Sequence, residues 1–397
     1  MKFIRQSIIG KALFLFAVLM AIAFGLGIAL NRGGVDAIPT NFFLLAVVSG
    51  LALIFILFAA DIVAPLKRLT RQVQNLLTGK SYRRIDPTTI DEVGVLTHFF
   101  NEITRDLEKI SYDLRERRRM SSELDIASQI QQDVLPKEAP ATPGLDIVAK
   151  TRAAAEIGGD TFDFLLSPDG SQLFIYVGDV TGHGVPSGLI MMMVDTLVTT
   201  LVAQGVANGR DIIVKTNALL TPRISSRLFM TTVMLRWVKS EQKFYYTGAG
   251  HEHILVYRKA TETVEPIKSG GIALGMIPDV SKIAMEKEIP PLAVGDCVVL
   301  YSDGITEAKN QTGEMHGLQR LADSLKKHGY RPTAEGIFDS LTKEFQGFVE
   351  EYVQIDDITM IVIKYLGPDA APSKVKLAVS SEEASAEHKS KVWDWTS

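Results

Sequence analysis

The chain has 397 residues, 46% of them hydrophobic and 22% charged, with a formal net charge of −4. That composition excludes wholesale disorder and a protein that coats nucleic acid. The single cysteine, Cys297, excludes an intramolecular disulfide framework and a cysteine-ligated zinc site. It sits in DCVVLY, which reads as a buried strand carrying a core thiol.

The mean hydropathy of +0.14 is high for so charged a chain, and the excess lies at the N-terminus. After a short segment, 1–11, residues 12–30 are apolar or glycine throughout. A polar loop, 31–41, precedes a second run, 42–61, whose first polar residue is Ser49. At ~1.5 Å per residue each run reaches across a hydrocarbon core of ~30 Å, so both are expected to span a membrane. Lys2, Arg5 and Lys11 precede the first span, Lys67, Arg68 and Arg71 follow the second, and the loop holds only Arg32. The positive-inside rule then puts both termini in the cytoplasm and makes the chain a multi-pass protein of the inner membrane.

Ala64-Pro65-Leu66 suggests a helix restart, with proline at an early helical position. Leu66, Leu69, Val73 and Leu76 follow at helical spacing. A linker over 80–89 leads to DEVG, Asp91 to Gly94, and to a second helix with Leu96, Phe99, Ile103, Leu107, Ile110 and Leu114 on one face. Residues 62–114 resemble the HAMP signal-transfer domain, with DEVG and FFNEIT as the specific marks. HAMP modules are dimeric parallel four-helix bundles, so the resemblance implies a homodimer. Neither apolar stripe can be buried by one helix alone. Residues 115–136 are expected to hold a separate coupling helix from Ser121 to Leu135, with Leu124, Ile130 and Val134 packing between protomers or onto the next domain. Pro136, Pro140 and Pro143 end it.

Four acidic motifs follow: GGDTFD with Asp160 and Asp163, GDVTGHG with Asp179, SDG with Asp303, and QIDDIT with Asp356 and Asp357. LFIYV precedes Gly178-Asp179, CVVLYS precedes Asp303, and ITMIVIK follows Asp357. One such aspartate is a turn residue by default. Four such motifs, three of them at a strand-like run, favour a carboxylate site for hard cations. His183 is expected to order the GHG turn, His251 and His253 to be structural, and Met191, Met192 and Met193 to be core packing.

Taken in order, EIGGDTFDF, GDVTGHGVPSGL, FMTTVML, YYTGAGHEHILVY, LAVGDCVVLYSDGITEA and QIDDITMIVIK resemble the PPM metal-dependent Ser/Thr protein phosphatases, in the bacterial branch named for the sporulation stage II protein E. The resemblance implies an α+β fold, a sandwich of two antiparallel sheets flanked by helices, over 137–366, with 367–397 left as a disordered tail. It implies two divalent ions, Mn or Mg, with Asp179 bridging them, the Val180 carbonyl near one, and Asp160, Asp303 and Asp356 completing the set. Asp357 is included as a neighbour able to exchange roles with Asp356. Water activated between two metals would attack a phosphoserine or phosphothreonine in line. The implied partner is a phosphorylated STAS-domain protein of a partner-switching pathway. A diguanylate cyclase is the enzyme alternative, since GGDTF echoes GGDEF, but Thr161 stands where that motif needs an acid. A degenerate phosphatase fold acting as a signal-binding scaffold is the non-enzyme alternative.

Overall fold

The computed structural model describes residues 7–32, 40–86, 91–137, 140–350, 353–371 and 376–380. Most of the expected outer loop and residues 381–397 of the expected tail lie outside these. The chain divides into two compact units, Met1–Arg119 and Met120–Ser397.

The first unit is helical. Helices α1 (Ile8–Arg32) and α2 (Thr40–Phe58) contain the two apolar runs. By length and composition, segments of both are fit to cross a membrane. Helix α3 (Ala64–Leu77) follows α2 without a break. A π-helical turn, Ala59–Val63, joins them, with Pro65 at the start of α3. The wider turn absorbs the bulk and missing N–H of proline, so the restart expected there is a bulge in one continuous rod.

Helix α4 runs unbroken from Glu92 to Val134. The separate coupling helix expected from Ser121 is therefore the C-terminal part of α4. The charged stretch Arg115 to Arg119 interrupts the apolar stripe but contains neither glycine nor proline, so nothing stops the helix. Asp91 caps α4, its Oδ1 accepting from the Val93 and Gly94 N–H groups at 3.2 Å each. Its other oxygen pairs with Lys11, and Glu92 accepts from the Ile8 N–H at 2.8 Å. The two acids of DEVG thus bind the start of α1. Asn101 reads both backbone groups of Ile85, at 2.8 and 3.2 Å. That fixes the linker against α4.

The second unit is built from two sheets. Strands β1 (Leu145–Arg152), β6 (Ile254–Arg258), β7 (Thr263–Ile267), β9 (Cys297–Tyr301), β10 (Ile358–Tyr365) and β11 (Lys376–Ser380) form one, in the order β11-β1-β10-β9-β6-β7. Strands β2 (Thr161–Leu166), β3 (Gln172–Val180), β4 (Met230–Val238), β5 (Lys243–Ala249) and β8 (Glu286–Glu288) form the other, in numerical order. Every pairing is antiparallel except β1 with β11. Residues 376–380, expected within the disordered tail, therefore form an edge strand of the first sheet. Its short KLAVS run supplies backbone pairing that the polar flanks conceal in a composition reading.

Alternate residues of each strand fill the space between the sheets, including Ile147, Phe162, Ile175, Leu235, Trp237, Val298 and Ile361. The other face of the first sheet packs on α7 (Gly317–His328) and α8 (Ala334–Val349) through Leu325, Phe338 and Leu341. The other face of the second packs on α5 (Val185–Ala203) and α6 (Gly209–Leu220) through Met191, Val194 and Ile212. Helix, sheet, sheet, helix is the layering expected from sequence. Helix α5 is also apolar enough to cross a membrane, but half of it is buried against the second sheet. Cys297 is fully buried in the first sheet, and burial pushes its thiol up to about 12, so it is an inert core residue.

Candidate active site

Strand register gathers the acidic residues at one end of the sandwich. Asp160 immediately precedes β2, and Asp179 is the penultimate residue of β3; Thr161 pairs with Gly178 across those neighbours. Asp303 opens a single helical turn, Asp303–Thr306, just beyond β9, and Asp356 and Asp357 directly precede β10; Tyr301 pairs with Met360 there. Each sheet thus delivers carboxylates from adjacent strands to the same edge.

The electrostatics show that these groups crowd one another. Burial, and then the charges of Asp179 and Asp357, hold the Asp160 carboxyl well above the carboxylate range. Burial pushes Asp179 up to about 8, with Asp303, Asp356 and Asp357 adding to the rise. Asp303 is pushed up to about 6 by burial, then by Asp356 and Glu307. Like charges on a half-buried surface disfavour ionisation unless a cation offsets them. Asp160 Oδ1 and Asp303 Oδ1 are buried and have no hydrogen-bond partner. Hard oxygen donors, orphaned and mutually repelling, fit a divalent cation of the Mg²⁺ or Mn²⁺ kind. As the side chains stand, no group of three or more His, Cys, Asp or Glu among the described residues is drawn tightly enough to enclose an ion.

The two neighbouring aspartates have different surroundings. Asp356 is exposed. Asp357 is buried, and its oxygens accept the N–H groups of Ala154 at 2.7 Å, Asp160 at 3.3 Å and Gly159. These bonds tie Asp357 to the GGD loop. Gly159 is needed in that loop because a Cβ there would stand 2.8 Å from the Val180 carbonyl oxygen. Val180 itself is buried at the end of β3.

Thr359 and Gln131, which sequence reasoning does not single out, complete the support. Thr359 donates its hydroxyl to Asp160 Oδ2 at 2.6 Å. Its one proton is used there, so Thr151, at 2.7 Å, is the donor to Thr359. The pattern that could have flagged Thr359 is its place between the core residues Ile358 and Met360 in a strand whose one charged residue is Lys364. Gln131, on the last turn of α4, bonds to both backbone groups of Gly158.

Asp163 lies outside the cluster. It faces Asp195 on α5, and burial followed by that charge raises its carboxyl to about 6. Tyr176 donates to Asp195 at 2.5 Å. His183 is exposed in the turn before α5. His251 is structural: burial lowers it to about 4, so the ring is neutral. Its Nε2 donates to the Tyr301 carbonyl at 3.1 Å, which leaves Nδ1 to accept from Thr231 at 2.9 Å. A cavity of about 120 Å³ opens beside the cluster, lined by Gly304, Lys309, Met315, Val353, Ile355 and Asp356 among others.

Comparison with known proteins gives the same reading of the second unit. Residues 169–366 match the family described as Stage II sporulation protein E (SpoIIE). The chain is 28% identical over 247 residues to "Phosphoserine phosphatase RsbU" of Bacillus subtilis, covering 62% of this chain and 70% of that one. It is 27% identical to "Protein IcfG" of Synechocystis, covering 69% of this chain but only 46% of that one. Among solved structures, the SiaA-PP2C domain of Pseudomonas aeruginosa superposes with a TM-score of 0.53 at 25% identity, covering 63% of this chain and 97% of the domain.

Proposed function

We propose, for a chain whose second unit is a protein serine/threonine phosphatase domain of the SpoIIE/PP2C type, that it is a membrane-anchored, divalent-metal-dependent phosphatase acting on a phosphorylated regulatory protein. The observation that supports this most strongly is the convergence of Asp160, Asp179, Asp303 and Asp356 from four strand ends, with two buried carboxylate oxygens lacking partners.

Asp160, Asp179, Asp303, Asp356 and the Val180 carbonyl would hold the cations. Two divalent ions there supply Lewis acidity, lowering the pKa of an attacking water and offsetting charge on the phosphoryl oxygens. The protein's own part is positioning. Thr151 and Thr359 aim Asp160, and Asp357 fixes the loop that carries it. No covalent phosphoryl-enzyme is required, in keeping with the inert Cys297.

The substrate we assign is phosphoserine or phosphothreonine on a STAS-domain protein of a partner-switching pathway, which the family resemblance supports. Helices α1 and α2 are assigned to the inner membrane with the phosphatase domain cytoplasmic, as the flanking lysines and arginines support. Residues 62–114 are assigned as a HAMP domain that dimerises the chain. Exposed Phe99, Ile103, Leu107, Ile110 and Leu114 along α4 support a helical partner, since water is a poor solvent for that stripe. The test is phosphate release from a phosphoserine-bearing protein by the full-length chain in detergent. Release should require Mn²⁺ or Mg²⁺, stop on chelation and return on readdition. Release that chelation leaves untouched would remove the metal-dependent reading.

A further inference from the structure

Gln131 is 7% exposed on the last turn of a helix whose neighbouring positions 129 and 130 are exposed. Its side-chain amide is used at both ends by one residue. Nε2 donates to the Gly158 carbonyl at 2.7 Å, and Oε1 accepts the Gly158 N–H at 3.1 Å. The amide therefore behaves as a strand neighbour would, satisfying a stretch of irregular backbone that has no sheet partner. Gly158 lies two residues before Asp160. On the following residues, Gly159 and Asp160, the N–H groups are taken by Asp357. The loop is thus gripped from two sides, by a carboxylate just before β10 and by an amide from α4. It has no room to relax: a Cβ on Gly158 would stand 2.7 Å from Asp357 Oδ2.

We propose that Gln131 is a positioning residue for the acidic cluster. By clamping Gly158 it sets where Asp160 stands, and it makes the geometry of the site depend on the axial position and rotation of the last turn of α4. This rests on the phosphatase reading of the cluster. The residue type is specific. Glutamate keeps the acceptor but loses the donor and adds a charge near Asp357. Alanine loses both. Asparagine keeps both groups on a stem one methylene shorter, which from a helix does not reach. A shift of the helix by one residue, about 1.5 Å along the axis and 100° around it, takes the amide away from Gly158.

The experiment uses the full-length chain in detergent, comparing wild type with Gln131→Ala, Gln131→Glu and, as a control on an exposed position of the same turn, Gln129→Ala. The measurements are Mn²⁺ affinity by calorimetric titration, kcat and KM for p-nitrophenyl phosphate at saturating Mn²⁺, and hydrogen–deuterium exchange of the peptide around Gly158. Supporting groups behind metal ligands typically carry about 10–100-fold in affinity or rate. The expected result is a loss of that order in Mn²⁺ affinity or kcat for both Gln131 variants, with KM within about twofold, faster exchange at 157–160, and wild-type behaviour for Gln129→Ala. If Gln131→Ala unfolds the domain, Gln131→Glu, equal in size and retaining one bond, decides the question by the same measurements. Wild-type Mn²⁺ affinity, kcat and exchange in a folded Gln131 variant would overturn the proposal while leaving the phosphatase reading intact. A wild-type chain that hydrolyses nothing would overturn the phosphatase reading instead, and the exchange comparison would still decide whether Gln131 holds the loop.

Discussion

Thr359 and Asp160 are 199 residues apart in sequence and 2.6 Å apart in space, hydroxyl to carboxylate. The bond joins the second residue of β10 to the residue just before β2, in different sheets, at the edge where the other aspartates gather. Thr359 is fully buried, so its hydroxyl has no water to fall back on.

Replacing Thr359 with Val keeps the shape of the strand and removes the bond. Asp160 would then carry two oxygens without a protein donor. The expected cost is about 1–3 kcal/mol in the metal-free protein, with Mn²⁺ affinity down by about tenfold. Denaturant unfolding in a chelator and calorimetric titration read the two effects separately. Unchanged affinity would show that Asp160 needs no such support.

Asp179→Asn should abolish phosphatase activity and yet stabilise the metal-free chain. The Asp179 carboxyl is raised to about 8 in the folded state, above its ordinary value of 3.8. A group shifted that way favours folding below its unfolded pKa and loses that contribution as pH rises through its folded pKa. Wild type in chelator should therefore lose stability between about pH 4 and 8. The asparagine variant should lose less, a difference of about 1–3 kcal/mol near neutrality. Thermal melts in chelator at stepped pH check the sign, and parallel pH profiles for the two proteins would contradict it.

Asp163→Asn separates the two acids of the GGDTFD motif. Asp163 is raised to about 6 by burial and by Asp195, away from the cluster. The same sign argument applies, so the variant should gain stability above about pH 6 while phosphate release stays within about twofold of wild type. Loss of activity comparable to that of Asp160→Asn would place Asp163 in the chemistry after all.

The exposed stripe of α4 makes a prediction about assembly. Leu107 and Ile110 are 46% and 55% exposed. Charges at both, as Leu107→Glu with Ile110→Glu, should convert a dimer into a monomer in sedimentation of the detergent-solubilised chain. A wild type that is already monomeric would end the dimer assignment.

The legible part of the site is the set of aspartates beside glycines at the ends of apolar strands, because strand alternation and turn chemistry both leave marks in a sequence. What Asp356 and Asp357 each do is not legible. Both lie in the irregular backbone just before β10, where no periodicity assigns a direction, and only the packed structure shows which of them holds the GGD loop. Gln131 is hidden for a different reason. In SQIQQDV it is one polar residue among several on a helix, and its role depends on a loop 27 residues further on. Hydropathy marks Leu124, Ile130 and Val134 on the same stretch of helix; Ile130 is 51% exposed and Leu124 and Val134 are half-buried. The layers of the sandwich follow from the strand patterns, whereas β11 does not, because a short strand at a sheet edge is decided by its partner more than by its own residues.

The most direct test of the account is phosphate release from a phosphoserine-bearing protein by the full-length chain, with Mn²⁺ and with chelator, for wild type and Asp179→Asn side by side. The account predicts metal-dependent release by wild type, and loss of at least about a hundredfold in a variant that remains folded. Metal-dependent release at the wild-type rate by Asp179→Asn at saturating Mn²⁺ would contradict it.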